Sequence, residues 1–259
     1  MTWKIRMNKL SVLIIARNEE KNIADCIKSV DFADEIVVVD DFSTDKTVEI
    51  ATSLGAKVVQ RAMNGDWSGQ QNFSLQQATH DWVLLIDADE RITPKLAQEI
   101  QEKLADGKEY AYRIKRLNHF RRKLVRFGAL HPDFVTRLLP KKDFHLTGQV
   151  HPKLHYPYPE KKLKNPMLHY TYDNWDAYYR KFDQYTKLIA IRYKEENKKS
   201  VYFLRDIVLR PIWAFFKVYI IHLGFLDGKL GWIFAMNHYF YTMTKYVRFY
   251  EHKHYSDEK

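Results

Sequence analysis

The chain has 259 residues, 46% of them hydrophobic, and a net charge of +10. This length and apolar content argue against a disordered or purely structural chain and allow one large α/β domain with an appendage. The net charge is −6 over residues 1–107, +13 over residues 108–199 and +3 over residues 200–259. An acidic first part suits a metal and nucleotide site, whereas a basic remainder suits an anionic membrane lipid, phosphorylated glycan or nucleic acid, or is simply a solvated surface.

Cysteine content and hydropathy bear on the compartment. Cys26 is the single cysteine, so neither an intramolecular disulfide nor a thiolate metal cluster can form, and a reducing cytoplasm is the expected location. The first ten residues are followed by no apolar segment long enough for a signal peptide. The most apolar stretch, residues 211–243, is interrupted by charged and histidine residues, which disfavours a membrane-spanning helix.

The first half alternates short β-branched runs with amphipathic segments, a pattern that predicts a parallel sheet with helices on both faces. We expect four strands, at residues 10–15, 35–39, 57–60 and 82–86. Asp45 is predicted to cap the second helix, and Pro94 to open the fourth helix in its first turn.

Beyond Gly107 the pattern changes. Two further strands are predicted at residues 110–116 and 134–139, separated by a basic loop, and an irregular region follows at residues 151–166. Helices are expected from Asn174 onward, with Asn174 as the N-cap. Residues 200–250 mix Trp, Phe and Tyr with Lys and Arg, which fits either helices at a bilayer interface or a helical subdomain packed on the core.

An apolar strand ends in three acids within four positions at Asp87, Asp89 and Glu90. Ligands of open parallel sheets bind at the carboxyl ends of strands, and two aspartates two positions apart can present oxygen ligands to Mg²⁺ or Mn²⁺. The alternative is an acidic helix start, because acidic side chains are favoured near helix N-termini.

The first two predicted strands also end in polar residues. Asp40 and Asp41 end the second strand, where an acid can accept hydrogen bonds from a base or ribose, and Arg17 follows the first strand. Turn formation and helix capping are the alternative roles. The first turn has no glycine, so neither a P-loop nor a dinucleotide fingerprint is present, which argues against a nucleotidyltransferase.

In order and spacing, residues 11–20, 37–47, 67–78 and 82–91 resemble an inverting family 2 glycosyltransferase of the GT-A fold. More narrowly, the chain resembles the bacterial branch that includes lipopolysaccharide core glucosyltransferases. That likeness rests on the run Asp87-Ala88-Asp89-Glu90-Arg91 and on the pairs Pro132-Asp133, Arg137-Leu138 and Val150-His151.

The resemblance implies roles on the donor side. Asp41 would contact the nucleobase, flanked by Arg17 and the backbone at Ile15. Asp87 would face the ribose or donor sugar and join Asp89, the direct ligand of a metal that bridges the diphosphate. Gln70, Gln71 and Asn72 lie in the segment that approaches the donor in relatives, although a structural helix start explains these amides equally well.

On the acceptor side, a base must take a proton from the attacking hydroxyl. Asp133, in the Pro-Asp pair, is the first candidate and Asp143 the second, and either could be an ordinary surface acid. The branch usually has His-Glu where this chain has His151-Pro152, so the expected carboxylate is missing, while His151 itself could bind diphosphate or metal. Arg137 could contact a phosphate or pair with an acid.

The resemblance thus implies a GT-A domain over residues 1–172, with a nucleotide-sugar half at 1–107 and an acceptor half at 108–172. Residues 173–259 would form a helical, membrane-associating extension. The implied activity is transfer of a hexose from a UDP-sugar to a lipid-linked glycan such as the lipopolysaccharide inner core, with glucose as the favoured hexose. The enzyme would lie peripherally on the inner face of the cytoplasmic membrane, against its anionic surface. A peptide or a capsular glycan is the alternative acceptor. A nucleotidyltransferase and a nucleic-acid-binding protein are the alternative classes, and the acidic first half argues against nucleic acid.

Overall fold

The computed structural model describes residues 8–148, 152–195 and 200–255. Its strands are β1 (Leu10–Ala16), β2 (Glu35–Asp40), β3 (Lys57–Gln60), β4 (Trp82–Asp87), β5 (Glu90–Arg91), β6 (Ala111–Phe120), β7 (Lys123–Leu124), β8 (Phe134–Pro140), β9 (His145–Thr147), β10 (Lys153–His155), β11 (Glu160–Lys162) and β12 (Met167–Tyr172). The six strands predicted from the sequence are all present, each within a few residues of its expected bounds.

The helices are α1 (Ile23–Lys28), α2 (Thr47–Ser53), α3 (Trp67–Gln77), α4 (Pro94–Asp106), α5 (Trp175–Glu195), α6 (Arg210–Phe216) and α7 (Lys229–His254). Pro94 opens α4, and the Asn174 side chain accepts a hydrogen bond from the Ala177 amide 2.8 Å away, as predicted. Asp45 lies one residue before the cap position of α2, where its carboxylate accepts from the Thr47 amide.

The main sheet has the order β3-β2-β1-β4-β8-β6, followed by β12 and β5. Strands β1 to β4 pair in parallel, whereas β8 runs antiparallel to β4 and β6 runs antiparallel to β8. The parallel half has the order that short strand–helix–strand crossovers produce. Strand β8 enters beside β4 from the opposite direction, so its first residues lie at the carboxyl end of β4.

The alternation of β1 separates the two faces of this sheet. Val12 and Ile14 pack with residues of α1, α2 and α4 on one face. Leu13 packs on the other face with Leu75 of α3 and with Leu146 of β9. Both faces of β1 are therefore buried, as expected for a central parallel strand.

The chain divides into two compact units. The first comprises Met1–Leu117 and Asp133–His169, and the second comprises Asn118–Pro132 and Tyr170–Lys259. The expected GT-A domain at residues 1–172 and helical extension at residues 173–259 stay predictions. No local pattern indicated that the basic stretch 118–132 belongs with the C-terminal helices.

The second unit is built on α5 and α7. Ala190 and Tyr193 of α5 pack against Tyr246 and Phe249 of α7. Between α6 and α7 the chain passes through a π-helical turn (Lys217–Ile221) and a 3-10 turn (Gly224–Asp227), and a further π-helical segment (Phe203–Leu209) precedes α6. Among the described residues, no helix combines the length and apolar character needed to cross a membrane.

Candidate active site

The site lies at the carboxyl edge of the parallel strands. Ile15 of β1 is in register with Val39 of β2 on one side and with Asp87 of β4 on the other. The loops after β1 and β2 are joined by hydrogen bonds, because Asn18 donates its amide to Ser43 and accepts from the Thr44 amide, both at 2.8 Å. This edge therefore brings the backbone at Ile15 beside the acids that end β2 and β4.

Asp41 follows β2 and is almost fully buried. One of its oxygens pairs with the Arg17 guanidinium at 2.9 Å, and the other accepts from the Met63 amide at 2.9 Å. The Arg17 side chain is 65% exposed, so it can rearrange when a ligand arrives. The structure thus brings together Asp41, Arg17 and the Ile15 backbone, the three groups expected to contact the nucleobase.

Asp87 ends β4, where the buried Arg137 guanidinium of β8 binds it. The same Arg137 nitrogen is 2.6 Å from Glu90, whose side chain is fully buried. Glu90 also accepts a hydrogen bond from the Asp87 amide at 3.0 Å, which fixes the turn between β4 and β5. Of the two roles considered for Arg137, the structure shows pairing with acids.

Charge and burial act differently on these two carboxyls. Burial raises the pKa of Asp87, but the adjacent Arg137 guanidinium outweighs it, and the net pKa of Asp87 is lowered. Burial also raises the pKa of Glu90, and there the opposing charge of Arg137 does not compensate, so the net pKa is raised. The Arg137 guanidinium, held by both carboxyls, has a raised pKa despite its burial. Arg137 therefore keeps Asp87 ionised at this edge.

Asp89 lies in the turn after β4, with one oxygen 3.4 Å from the Nε2 of His169. His169 belongs to β12, in register with Glu90 of β5. The other oxygen, Asp89 Oδ1, is buried and has no hydrogen-bond partner among the described residues. No three Asp, Glu, His or Cys side chains converge as a metal-binding group within residues 8–148, 152–195 and 200–255. Asp89 and His169 nevertheless fit a Mg²⁺ or Mn²⁺ whose remaining ligands come from a substrate phosphate, the usual arrangement for Mg²⁺.

The two candidate bases lie at opposite ends of the sheet. Asp133 immediately precedes β8, which places it at the carboxyl end of β4, and Arg116 binds its two oxygens at 2.8 and 3.1 Å. Arg116 also lies 3.3 Å from Glu90. It thereby links Asp133 to the carboxylate cluster, which comprises Asp87, Asp89, Glu90, Arg116, Arg137 and His169. Asp143 follows β8 in an exposed turn, near the amino end of β4, where Lys141 donates its amide to Asp81. The structure therefore separates Asp143 from the cluster.

The amides of α3 serve mainly to hold the fold. Gln70 is fully buried and exchanges two hydrogen bonds with Arg61, at 2.7 and 2.9 Å. Asn72 donates to and accepts from the backbone of Leu146 in β9. Of the three amides considered for the donor, only Gln71 lines the cavity beside Arg137.

A cavity of about 660 Å³ lies in the first unit beside Arg137. It is open and lined by Gln71, Leu85, Val135, Thr136, Arg137, Pro152, Lys153, Leu154, His155 and Tyr156. His155 is stacked on His145 with ring centres 4.9 Å apart, and Thr147 lies 2.8 Å from its Nε2. The expected role of His151 lies outside the described residues, but the residues that follow it form one wall of this cavity.

The sequence patterns did not predict the roles of three residues of the carboxylate cluster. Glu90 was expected only as the third acid after the strand, and Arg116 and His169 were not predicted as site residues. His169 lies two residues after the buried Met167 in β12 and therefore on the same face of the strand, which is the one local signal that its side chain points inward. The partner of each lies on another strand, and single-sequence patterns do not give strand order.

A parallel sheet extended by antiparallel strands, with acids at its carboxyl edge, is the architecture expected of a GT-A-type α/β transferase. The family model described as "Glycosyl transferase family 2" matches residues 11–124. This range contains β2 to β7, nearly all of β1, and the Asp41, Asp87 and Asp89 sites. The chain belongs to this glycosyltransferase family and is an enzyme of it, as the resemblance implied.

Similar proteins extend the match to nearly the whole chain. An uncharacterized glycosyltransferase of Rickettsia typhi is 32% identical over 243 residues, covering 88% of this chain and 82% of that protein. The lipopolysaccharide core biosynthesis glycosyltransferase LpsC of Rhizobium meliloti is 30% identical, covering 93% of this chain and 92% of that protein. Among solved structures, glucosyl-3-phosphoglycerate synthase of Mycobacterium tuberculosis is 27% identical with a TM-score of 0.37, and the match covers 46% of this chain and half of that one.

Proposed function

We propose that the enzyme transfers a hexose from a UDP-sugar to a hydroxyl group of a lipid-linked glycan, with inversion at the anomeric carbon. Two polar atoms at the sheet edge, Asp89 Oδ1 and Arg137 Nε, carry this proposal. Both are buried without a hydrogen-bond partner among the described residues, and such atoms are rare because they are costly. At a donor site, Asp89 Oδ1 would meet a cation, and Arg137 Nε would donate to an oxygen of the diphosphate.

On the donor side, Asp41 and Arg17 bind the uracil base beside the Ile15 backbone. Asp87, oriented and kept ionised by Arg137, faces the ribose or the hexose. Glucose is the proposed hexose, because the sequence resembles the lipopolysaccharide core glucosyltransferases. The name of the relative LpsC refers to lipopolysaccharide core biosynthesis and supports the proposed acceptor.

Asp89 and His169 would hold a Mg²⁺ or Mn²⁺. Asp87 has one oxygen occupied by Arg137, which leaves it less available as a ligand. A bound cation stabilises negative charge on a departing diphosphate. The protein itself contributes an aligned carboxylate at Asp89, and the buried pairing of Glu90 with Arg137 keeps the turn that carries Asp89 in place.

The acceptor would enter the cavity beside Arg137, where Gln71, Thr136 and Tyr156 offer hydrogen bonds to sugar hydroxyls. Asp133 is the proposed base, because it lies at the same edge as Asp87 and Arg116 fixes its orientation with two hydrogen bonds. The proposed acceptor is a lipid-linked oligosaccharide such as the lipopolysaccharide inner core, reached from the inner face of the cytoplasmic membrane.

A donor screen with the purified full-length protein tests the reaction. We expect release of UDP from one preferred UDP-hexose, dependent on added Mn²⁺ or Mg²⁺ and stimulated by a core oligosaccharide acceptor. Stimulation by a peptide or capsular acceptor instead would overturn the proposed acceptor. Release of pyrophosphate from a nucleoside triphosphate, with no turnover of sugar nucleotides, would overturn the whole proposal.

Parallel substitutions at the two candidate bases test the acceptor side. Asp133→Asn is expected to lower kcat by about a hundredfold or more, the usual contribution of a general base, with little change in UDP affinity. Asp143→Asn is expected to retain activity because Asp143 lies at the other end of the sheet. The reverse result would assign the base to Asp143.

A further inference from the structure

One face of α6 is apolar although it points to solvent. The residues on that face are 43–57% exposed and recur at helical spacing through α6 and its flanking turns: Leu209, Ile212, Trp213, Phe216 and Ile220. The opposite face is buried at Pro211, Ala214 and Val218. A helix that packs on its own unit with one face normally has polar residues on the other. The outward face of α6 therefore lacks the solvent-facing composition of a surface helix.

The exposed apolar surface continues on either side of α6. Phe203 and Leu204 before the helix are 74% and 64% exposed, and Ile221, Leu223, Phe225 and Leu226 after it are 43–54% exposed. Single exposed apolar residues are ordinary, but a contiguous group of this size marks an interaction site. We name residues 203–226 the apolar segment.

Close backbone packing keeps the end of the apolar segment in place. A Cβ on Gly224 would lie 2.7 Å from the Val218 carbonyl oxygen, and a Cβ on Gly231 would overlap the Gly224 carbonyl. Leu223, just before Gly224, has a positive φ of 56°. Because these positions fix the backbone, the side chains of residues 220–226 cannot simply turn inward.

A basic loop is attached to the same part of the second unit. Arg121, Arg122, Lys123 and Arg126 are all exposed, and residues 118–132 contain no acid. The loop is anchored by the Gly128 amide, 2.9 Å from the His222 carbonyl, and by the Arg126 and Phe127 amides, which donate to Asp227 at 3.1 and 2.9 Å. Exposed cations therefore lie beside the exposed apolar residues of the turns that follow α6.

The net charge of the chain is concentrated in this unit. Residues 118–132 and 170–259 contain 19 Lys and Arg against 10 Asp and Glu, so this unit accounts for nine of the ten net positive charges. Interfacial membrane proteins combine these features, with apolar and aromatic side chains entering the acyl boundary and cations meeting anionic headgroups.

We propose that the apolar segment and the basic loop 121–126 form one docking surface for an anionic lipid bilayer. The apolar segment lies in the membrane interface and does not span the bilayer. Trp213 and Phe216 enter the headgroup boundary, and Arg121 to Lys123 contact lipid phosphates. This proposal extends the proposed function, which requires an acceptor carried by a lipid. Nucleic acid would match the cations but leave the apolar segment in water, and a second copy of this unit would oppose one positively charged surface to another.

Vesicle binding by the full-length protein tests the surface without any need for catalysis. We expect partition to phosphatidylcholine vesicles containing phosphatidylglycerol and little partition to phosphatidylcholine alone. The variant Arg121→Gln/Arg122→Gln/Lys123→Gln is expected to weaken that partition by roughly a hundredfold, since each basic residue near an anionic surface contributes about a factor of five. Lys28→Gln/Lys95→Gln/Lys142→Gln, which removes the same charge from exposed positions of the first unit, is the matched control and should bind as the unmodified protein does.

The apolar contribution is tested separately. Trp213→Ser/Phe216→Ser changes only exposed side chains, so the fold should persist, while vesicle partition falls at least tenfold. Ile191→Ser/Val247→Ser, at equally exposed positions of α5 and α7, should have little effect. Brominated lipid should quench tryptophan emission in the unmodified protein, and Trp213→Phe should reduce that quenching.

Equal partition of all variants, or no binding to anionic vesicles, would overturn the proposal. So would a dimer in analytical ultracentrifugation that the Trp213→Ser/Phe216→Ser variant dissociates, because the surface would then belong to a second copy. Metal-dependent UDP release, measured on the same preparations in detergent-free buffer, reports on the proposed function. A failure of membrane docking can therefore be told apart from a failure of glycosyl transfer.

Discussion

Asp89 differs from every other acid at the sheet edge because one of its oxygens is buried without a partner. Asp41 is satisfied by Arg17 and Met63, and Asp87 by Arg137. We therefore expect Asp89→Asn to abolish metal binding and to lower metal-dependent kcat/KM by about a hundredfold or more, since the amide keeps the shape but removes the ligand charge. Steady-state kinetics and titration with Mn²⁺ measure the two effects.

Asp81→Asn is the matched control for that substitution, because Asp81 precedes the same strand at its opposite end and its side chain is exposed. It should leave both metal binding and turnover unchanged. Full activity of Asp89→Asn in Mn²⁺ would contradict the assignment of Asp89 as a metal ligand. The unpaired Asp89 Oδ1 would then have no assigned function.

His238 of α7 makes the stability of the second unit depend on pH. Burial, reinforced by the positive charges of Lys245, Lys217 and His222, lowers the pKa of His238 to about 4. The unfolded chain has an ordinary histidine and binds its proton at higher pH, so the folded state loses stability as pH falls from about 6.5 to 4. We expect this one group to contribute about 3 kcal/mol across that window, since one pKa unit corresponds to about 1.4 kcal/mol.

Urea unfolding at pH 7 and pH 4.5 measures this effect. Buried carboxyls also change stability in the same range, so the relevant quantity is the difference between the unmodified protein and His238→Gln. The variant should lose less stability on acidification, whereas His254→Gln, at an exposed position, should behave as the unmodified protein does. Parallel pH profiles for all three proteins would contradict a buried neutral imidazole at His238.

The sequence allowed some residues of the site to be predicted and not others, for a physical reason. Asp41, Asp87 and Asp89 follow buried strands directly, and the carboxyl ends of parallel strands meet at one edge, so short-range patterns were sufficient. His169 and Arg116 act through partners on other strands, at distances along the chain that no local pattern encodes. Gln70 shows the opposite case. It was considered for donor binding because of its position in the chain, but in the structure its buried side chain forms hydrogen bonds with Arg61.

At the scale of elements, the strength of the hydrophobic pattern decided what could be predicted. β1, β2 and β4 are apolar runs buried on both faces, and they were expected almost to the residue. β10 and β11, at Lys153–His155 and Glu160–Lys162, lie within the region expected to be irregular. They are short, polar and largely exposed, so pairing with neighbouring strands defines them and periodicity does not.

Helix α7 depends on a glycine in its first turn. A Cβ at Gly231 would overlap the Gly224 carbonyl oxygen, a backbone atom that cannot move aside as a flexible side chain can. We expect Gly231→Ala to lower the free energy of unfolding by about 2–3 kcal/mol, in the upper range for overpacking. Urea denaturation followed by circular dichroism measures the change.

Gly107→Ala is the comparison for that substitution, because Gly107 has a φ of 68° but open space around its Cα. Backbone strain alone should cost about 1 kcal/mol there. If the two variants lost the same stability, close packing between Gly224 and Gly231 would make no contribution of its own.

At the scale of the molecule, charge and apolar surface are divided between the two units. The first unit contains the site acids Asp41, Asp87 and Asp89 and the cavity beside Arg137, and the second contains the apolar segment and nearly all of the net positive charge. Counting charge along the sequence detected an acidic beginning and a basic remainder. It could not assign residues 118–132 to the C-terminal helices, because that assignment depends on hydrogen bonds to residues a hundred positions away.

Ligand-linked stability tests the donor site in the intact molecule independently of turnover. A ligand that binds only the folded state stabilises it by about 2.7 kcal/mol at a concentration one hundred times its Kd. For a folding unit of about 150 residues this corresponds to a rise in Tm of roughly 5–10 °C. We expect UDP with Mn²⁺ to produce such a shift in calorimetry, and UDP with EDTA a smaller one. Asp89→Asn should remove the metal-dependent part and Asp81→Asn should retain it, since the cation and the diphosphate are proposed to meet at Asp89. A shift that persists in full in Asp89→Asn, or that UTP reproduces in the presence of EDTA, would place nucleotide binding elsewhere in the chain.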